Sequence, residues 1–160
     1  MRRRTLDPLL VLLVGAAALA LAVLVASGRG PGLSPERASW TLTPGVANPD
    51  VTQASISLTI CRRGWTRTIR PPSDYTARLK LEGMKAYGRT GTPADYQEDH
   101  LVSLELGGHP TDPRNLWPEP RPRAERVDRL ENELNAAVCS GRLTLAEAQR
   151  RISEVKHTEG

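Results

Sequence analysis

The feature that most limits the fold of this chain is the segment EDHLVSLELGGHPTDPRNLWPE, which runs from residue 98 to residue 119. Apolar residues alternate with others from Val102 to Leu106, and this period of two predicts a β-strand with one buried face. Gly107-Gly108 predicts a turn, and Asn115-Leu116-Trp117 returns the chain before a charged run with helical periodicity. The sequence therefore predicts a β-hairpin that leads directly into a helix.

Further helices are predicted from apolar periodicity and capping residues. Ser73 can cap a helix that runs to about Tyr87, where Gly88 ends it. The hairpin is followed by a helix over about residues 122–138, and Thr144 begins a last helix through a capping box. Residues 50–61 fit a strand or a short helix, with the helix favoured, and residues 65–70 are expected to be extended. The predicted fold class is a small α+β domain.

The N-terminus combines a charged leader with a long apolar run. Arg2, Arg3 and Arg4 precede an uncharged run over about residues 8–27, and about 20 apolar residues can cross a bilayer as a helix. Because secretory signals usually have shorter apolar cores, residues 1–30 are predicted to be a signal anchor rather than a cleaved signal peptide. The arginines predict a cytoplasmic N-terminus and an extracytoplasmic location for the chain beyond the apolar run. Residues 31–49 are predicted to be a flexible tether.

The net charge alone does not predict a nucleic-acid-binding protein. The chain has 22 basic and 18 acidic residues, a net charge of +4. Residues 1–30 hold four arginines and one aspartate, or +3, which leaves about +1 for residues 31–160. Two basic clusters could still contact phosphates, although a solvated surface is the favoured interpretation of each. They hold Arg62, Arg63, Arg67 and Arg70, and Arg121, Arg123, Arg126 and Arg129. The candidate nucleic-acid contacts are Arg62, Arg63, Arg67, His109 and Arg114.

Cys61 and Cys139 are the only cysteines of the chain. In an exported protein, two cysteines favour a disulfide over a metal pair, and no CxxC spacing supports a zinc site. Closing a loop of this size would stabilise a small domain by roughly 3–5 kcal/mol. A Cys61–Cys139 disulfide is therefore expected.

The residue types around the hairpin suggest phosphodiester chemistry. Such hydrolysis needs an activated water, which a neutral histidine such as His100 can provide, and positive charge on the phosphate, which a divalent ion can provide. Asp99 offers a hard oxygen ligand for Mg²⁺ or Mn²⁺, and Asn115 offers either a second oxygen or a hydrogen bond that holds the loop. Glu125 and Asp128, three residues apart on the predicted helix, are possible further ligands.

At these residues the chain resembles the HNH, or ββα-metal, nuclease superfamily. The DHLVSLELGG segment followed by Asn115-Leu116 is similar to the first two motif elements of that family. With TICRRGWTRTIRPP and AVCSG, a likeness to small exported bacterial proteins with such a core covers about residues 44–155. The resemblance implies a hairpin-plus-helix core with flanking helices, with Asp99 as metal ligand, His100 as general base and Asn115 as ligand or loop organiser. A histidine often completes the family motif on the helix, where this chain has Ala124 or Glu125.

Two functions are therefore expected for residues 50–157. The first is a metal-dependent endonuclease that cleaves DNA or RNA outside the cytoplasm, acts as a monomer, and is either membrane-anchored or secreted. The alternative is a catalytically inactive HNH-like scaffold that binds another component of the cell envelope. The intact Asp-His and Asn residues favour the enzyme, whereas the residues at the third motif position favour the scaffold.

Overall fold

The structure is a computed structural model, and it describes residues 34–159. The predicted signal anchor at residues 1–30 lies outside the described residues. Among residues 34–159, no helix is long and apolar enough to cross a bilayer.

The described residues form four helices and one two-stranded antiparallel sheet, which confirms the α+β prediction. Two helices come first, α1 at Trp65–Ile69 and α2 at Ser73–Ala86. The strands β1, Tyr96–His100, and β2, Leu116–Pro120, pair so that Asp99 faces Trp117 and His100 faces Leu116. The helix α3, Arg121–Cys139, continues directly from β2, and α4, Leu145–Thr158, follows a short turn. The order strand, strand, helix therefore places Asp99 and His100 at the end of β1, beside α3.

The ends of the longer helices follow the predicted signals closely. The helix α2 begins at Ser73, although Pro72 rather than Ser73 is the capping residue, and Gly88 follows its end with a φ of 60°. The side chain of Thr144 accepts a hydrogen bond from the Glu147 backbone N–H at the start of α4, as a capping residue should. Helix boundaries were therefore predictable wherever capping residues stand next to apolar periodicity.

The hairpin loop differs from the prediction, because the apolar alternation after His100 is not a strand. Residues Leu104–Leu106 form a 3₁₀ turn in which both leucines are buried. The reason lies in Asn115, whose side chain binds both the N–H and the C=O of Val102, so that these groups are not free to pair with a strand. The Gly108 backbone lies so close to the Val102 carbonyl that a side chain at residue 108 would overlap it.

The segment after Cys61 also differs from the prediction, since residues 65–69 are helical rather than extended. Gly64 turns the chain with a φ of 82°, a conformation that glycine adopts without strain. Trp65 then packs against the main apolar core, which holds this short helix in place. The predicted short helix within residues 50–61 is present as a 3₁₀ turn at Ile56–Leu58.

The main apolar core lies between α3, α4, the hairpin loop and the segment before α1. Its buried members are Val51, Ile60, Val102, Leu106, Val127, Leu134, Val138, Leu145, Ala148 and Ile152. A second, smaller cluster packs Trp117 of β2 against Tyr87, Leu101 and Ala38. The sheet and its loop are thus held between two apolar clusters.

Residues 34–48, which we call the strap, are bound to the domain where the sequence predicted a flexible tether. The Ala38 backbone N–H donates to the carbonyl of Lys156 at 2.9 Å, and the Asn48 N–H donates to the carbonyl of Gly107 at 2.8 Å. The guanidinium of Arg89 donates to the carbonyls of Ser34 and Pro35. The Gly, Pro, Ser and Thr content predicted a tether. Composition could not reveal these interactions, because they involve backbone groups and residues that are distant in sequence.

The strap also contacts His157 near the end of α4. The Trp40 ring stacks on the imidazole, with the ring centroids 3.5 Å apart. The Nε2 atom of His157 lies 3.0 Å from the carbonyl oxygen of Thr43. The strap is therefore a structural part of the domain that begins upstream of the predicted boundary at residue 50.

Cys61 and Cys139 form a disulfide that links the segment before α1 to the end of α3, with their Cα atoms 5.5 Å apart. The bond closes a loop with a sequence separation of 78. We expect Cys61→Ser combined with Cys139→Ser to lower the free energy of unfolding by about 4 kcal/mol, because the unfolded chain regains the entropy that the closed loop removes. Urea unfolding of the two proteins measures the difference.

Reduced wild-type protein is the matched control and should unfold at the same urea concentration as the double variant. If reduction leaves the unfolding midpoint of the wild type unchanged, the disulfide does not stabilise the fold.

Candidate functional site

A polar cavity of about 360 Å³ opens beside the end of β1. Asp99 and His100 from β1 line it, and Asp128 and Glu131 contribute from α3. The other lining residues are Thr66, Arg70, Gln97, Ser103, Leu104, Glu105 and Asn132. The cavity therefore combines a histidine, several carboxyl groups and one arginine.

Asp99 is bound to a buried lysine that the sequence analysis did not single out. The Lys156 ammonium, completely buried on α4, forms a short ion pair with the Asp99 carboxylate. It also donates to Glu131 Oε1 at 2.6 Å and to the His100 carbonyl oxygen at 2.7 Å. These three bonds use the three donors of the ammonium, so Lys156 joins β1, α3 and α4 at one point.

Glu119 on β2 completes a buried charge network with Asp99, Lys156 and Arg123. Burial, the Asp99 charge and a hydrogen bond to Asp99 raise the pKa of Glu119 to about 9, against the opposing charges of Lys156 and Arg123. Burial also acts to raise the pKa of Asp99, but Lys156 and the hydrogen bond from Glu119 outweigh it and lower that pKa to about 2. The raised pKa favours a protonated Glu119 beside an ionised Asp99.

The His100 ring has one nitrogen held and one nitrogen free among the described residues. Its Nε2 atom lies 3.0 Å from the carbonyl oxygen of Pro110, and since a carbonyl only accepts, Nε2 carries the hydrogen. Burial lowers the pKa of His100, so the ring is neutral near pH 7. No hydrogen bond from residues 34–159 reaches Nδ1, which therefore keeps a lone pair in a residue that lines the cavity.

Asn115 is fully buried, and its amide organises the loop that carries His100. Its Oδ1 accepts from the N–H groups of Val46 and Val102, at 3.2 and 2.9 Å. Its Nδ2 donates to the carbonyls of Val102 and His109, at 3.1 and 3.0 Å. All the hydrogen-bonding capacity of the amide is thus used by backbone groups. Of the two roles that the sequence left open for Asn115, this geometry supports the loop organiser.

The four oxygen ligands predicted for Mg²⁺ or Mn²⁺ do not meet at one point. Asp99 is paired with Lys156, the Asn115 amide is buried in the loop, and Glu125 does not line the cavity that Asp128 lines. Within residues 34–159, no three histidine, cysteine or acidic side chains are close enough to hold a metal ion together. The four predicted ligands are therefore not gathered at one point in the described part of the chain.

The predicted nucleic-acid contacts fall in different places. Arg62 and Arg63 line a second cavity of about 300 Å³, whereas Arg67 is exposed on α1 and lines neither cavity. Arg114 is bound to Asp112 at 2.7 Å. His109 Nδ1 accepts hydrogen bonds from the N–H groups of Thr111 and Asp112, so its ring holds the hairpin loop. The structure thus brings two of the five predicted contacts close to the His100 cavity.

Sequence reasoning missed Lys156, Glu131 and Glu119. Glu131 and Lys156 each lie one helical turn from an apolar core residue, Leu134 and Ile152 respectively, and a charge at such a position is the signal that could have identified them. Arg70 belongs to a basic cluster that the sequence shows, but its place beside His100 was not predicted, because it follows the unexpected helix α1.

No protein-family model, no curated protein and no solved structure matches this chain.

Replacing Asn115 by alanine tests its role in the loop. Because Asn115→Ala leaves backbone groups of Val46, Val102 and His109 without partners, we expect it to destabilise the protein by at least about 2 kcal/mol. Thermal denaturation measures the loss. Amide hydrogen exchange should be faster at Val46 and Val102, whose N–H groups Oδ1 accepts. Unchanged exchange at both amides would contradict the assignment.

Replacing Glu119 by glutamine tests the buried proton. Folding raises the pKa of Glu119 to about 9. The folded protein thus holds a proton that the unfolded chain releases above about pH 4.3, and stability falls as pH rises through this window. Glu119→Gln resembles the protonated acid, so the free energy of unfolding of the variant should fall less steeply with pH than that of the wild type. The two slopes should differ by up to ~1.4 kcal/mol per pH unit. Urea unfolding between about pH 5 and 8 measures both slopes.

The control for Glu119→Gln is Glu125→Gln, which changes an exposed glutamate and should leave the slope of the wild type intact. Parallel pH curves for wild type and Glu119→Gln would show that Glu119 is ionised in the folded protein.

Proposed function

We propose that this protein hydrolyses phosphodiester bonds of DNA or RNA outside the cytoplasm, with His100 as the general base. The single observation that carries the proposal is the His100 ring, whose Nε2 is held by the Pro110 carbonyl in a cavity lined by polar residues. A ring fixed in this way has a defined orientation and a defined tautomer, which are what a general base needs. The disulfide supports an oxidising, extracytoplasmic compartment.

In the proposed reaction, Nδ1 of His100 takes a proton from a water molecule in the cavity. The resulting hydroxide attacks the phosphorus atom and the bond to the leaving oxygen breaks. The leaving oxygen takes a proton from the solvent, to which Nδ1 of His100 then releases its own. Because burial lowers the pKa of His100, the ring remains a base in mildly acidic solution. The hydrogen bond to Pro110 keeps Nε2 protonated throughout, so the proton exchange takes place at Nδ1.

The order β1, β2, α3 supports a ββα arrangement of the kind that the family resemblance implies. It also agrees with Asn115 as loop organiser and His100 at the end of the first strand. A requirement for Mg²⁺ or Mn²⁺ stays a prediction of that resemblance.

One observation favours the alternative, a scaffold without activity that binds another envelope component. Asp99, the predicted metal ligand, is paired with Lys156, so the charge of this carboxylate is compensated from within the protein. A folded wild-type protein that cleaves neither DNA nor RNA with any divalent ion would therefore support the scaffold.

Substitution of His100 separates the enzyme from the scaffold. We expect His100→Ala to lower the cleavage rate of plasmid DNA or structured RNA by about 10²–10⁴-fold, because the general base is removed. Because burial lowers the pKa of His100, the wild-type rate should be kept at the ordinary histidine pKa of about 6.5 and should fall only at lower pH, where the ring becomes protonated. Gel assays with Mg²⁺, Mn²⁺ or EDTA measure the rate and test the predicted metal requirement.

His100→Gln is the second variant, because its amide N–H can replace the donor to Pro110 while it supplies no basic nitrogen. It should be folded and equally inactive. Equal cleavage by the wild type and both variants would show that a contaminating nuclease is responsible and would reject His100 as the base.

A further inference from the structure

The arginine that lines the His100 cavity is held there by its position in the chain. Arg70 follows the last residue of α1 with φ −62° and ψ 127°, and Pro71-Pro72 come next. A residue before proline is restricted to extended conformations, so the backbone of Arg70 has little freedom. Pro71 is buried, which anchors this restricted segment to the domain. Arg70 is thus an exposed side chain on a fixed backbone.

Arg70 is the only basic residue that lines this cavity in the described part of the chain. Its guanidinium forms no ion pair with any of residues 34–159, although Asp99, Glu105, Asp128 and Glu131 line the same cavity. The positive charge of Arg70 acts on His100, Glu105 and Asp128, and it contributes to lowering the pKa of each, although burial dominates the shift of all three. Its five N–H donors therefore remain available to an anionic ligand.

The His100 cavity lies next to the second cavity, and both are lined by Thr66 and Glu105. Arg62 and Arg63 line the second cavity, together with the disulfide formed by Cys61 and Cys139. The disulfide fixes the segment that carries these arginines to the end of α3. The segment 61–70 thus supplies basic side chains to two adjoining cavities.

We propose that Arg70 binds the phosphate that is attacked by the water activated by His100, and that Arg62 and Arg63 bind neighbouring phosphates of the same strand. This inference rests on the proposed function and extends it, because it assigns the substrate as a polyanion that occupies both cavities. A guanidinium can donate two parallel hydrogen bonds to one phosphate, and it supplies the positive charge that the acidic lining otherwise lacks. Arg67 and Arg114 have no part in this binding.

The test measures binding separately from cleavage. Full-chain His100→Ala protein is titrated against a fluorescent single-stranded oligonucleotide in EDTA, with anisotropy read over a series of salt concentrations. Arg70→Gln should reduce the slope of log K against log salt by about 0.7, the value for one lost phosphate contact with a single strand. Arg62→Gln combined with Arg63→Gln should reduce it by about 1.4.

Arg67→Gln is the matched control, because it removes one exposed positive charge from the same segment at a residue that lines neither cavity. It should leave the slope unchanged. Arg70→Lys should restore the slope but not the full affinity, because lysine keeps the charge and loses the two-pronged geometry. If Arg70→Gln behaves like Arg67→Gln, or if the oligonucleotide does not bind at low salt, the inference is overturned.

Cleavage assays of the same arginine variants, made in protein that keeps His100, distinguish this inference from the proposed function. Arg70→Gln should lower kcat by about 10²–10³-fold, the usual loss for one donor to a developing charge, whereas the Arg62 and Arg63 changes should raise KM. Cleavage that requires His100 and is unaffected by Arg70→Gln would overturn the inference alone. Binding that requires Arg70, without cleavage by the wild type, would overturn the proposed function alone.

Discussion

The buried ammonium of Lys156 is the interaction on which the arrangement of this domain depends. It binds the Asp99 carboxylate, Glu131 and the His100 carbonyl oxygen, and so connects three elements at one point. A buried ion pair of this kind does not in itself make a protein more stable, but removing one partner leaves an uncompensated charge and typically costs about 3–5 kcal/mol. The network therefore fixes one packing of α4 against the sheet more strongly than apolar contacts alone would.

His100 lies between two polar anchors that approach it from different parts of the chain. Lys156 holds its carbonyl, and Asn115 holds the next residues through the Leu101 N–H and both backbone groups of Val102. The Pro110 carbonyl then fixes the ring. Backbone and side chain are thus set before any substrate is present, which reduces the ordering that binding would otherwise require.

The sequence predicted those elements whose signals are local. The helices α2, α3 and α4 have apolar stripes and terminal signals within a few residues, and the two cysteines have one possible pairing. The prediction of a strand after His100 was wrong because the Asn115 side chain binds Val102 across the loop. The spacing of apolar residues gives no information about such an interaction. The prediction of a flexible tether at the strap was wrong for the same reason, since its partners Tyr87, Arg89 and Lys156 lie far along the chain. The sequence singled out His100 and Asn115 of the candidate site, but it did not single out Lys156, the cation that pairs with Asp99.

The chain position of Lys156 has a consequence for the order in which the protein can mature. Lys156 lies 57 residues after Asp99 and 25 residues after Glu131, so ribosomal synthesis makes the acids well before their cation. Until α4 arrives, the end of β1 and the facing turn of α3 must keep their carboxyl groups hydrated or protonated, and the sheet cannot close over them. The geometry around His100 is therefore complete only when α4 is docked. A chain interrupted during synthesis would contain every predicted site residue and still lack the site.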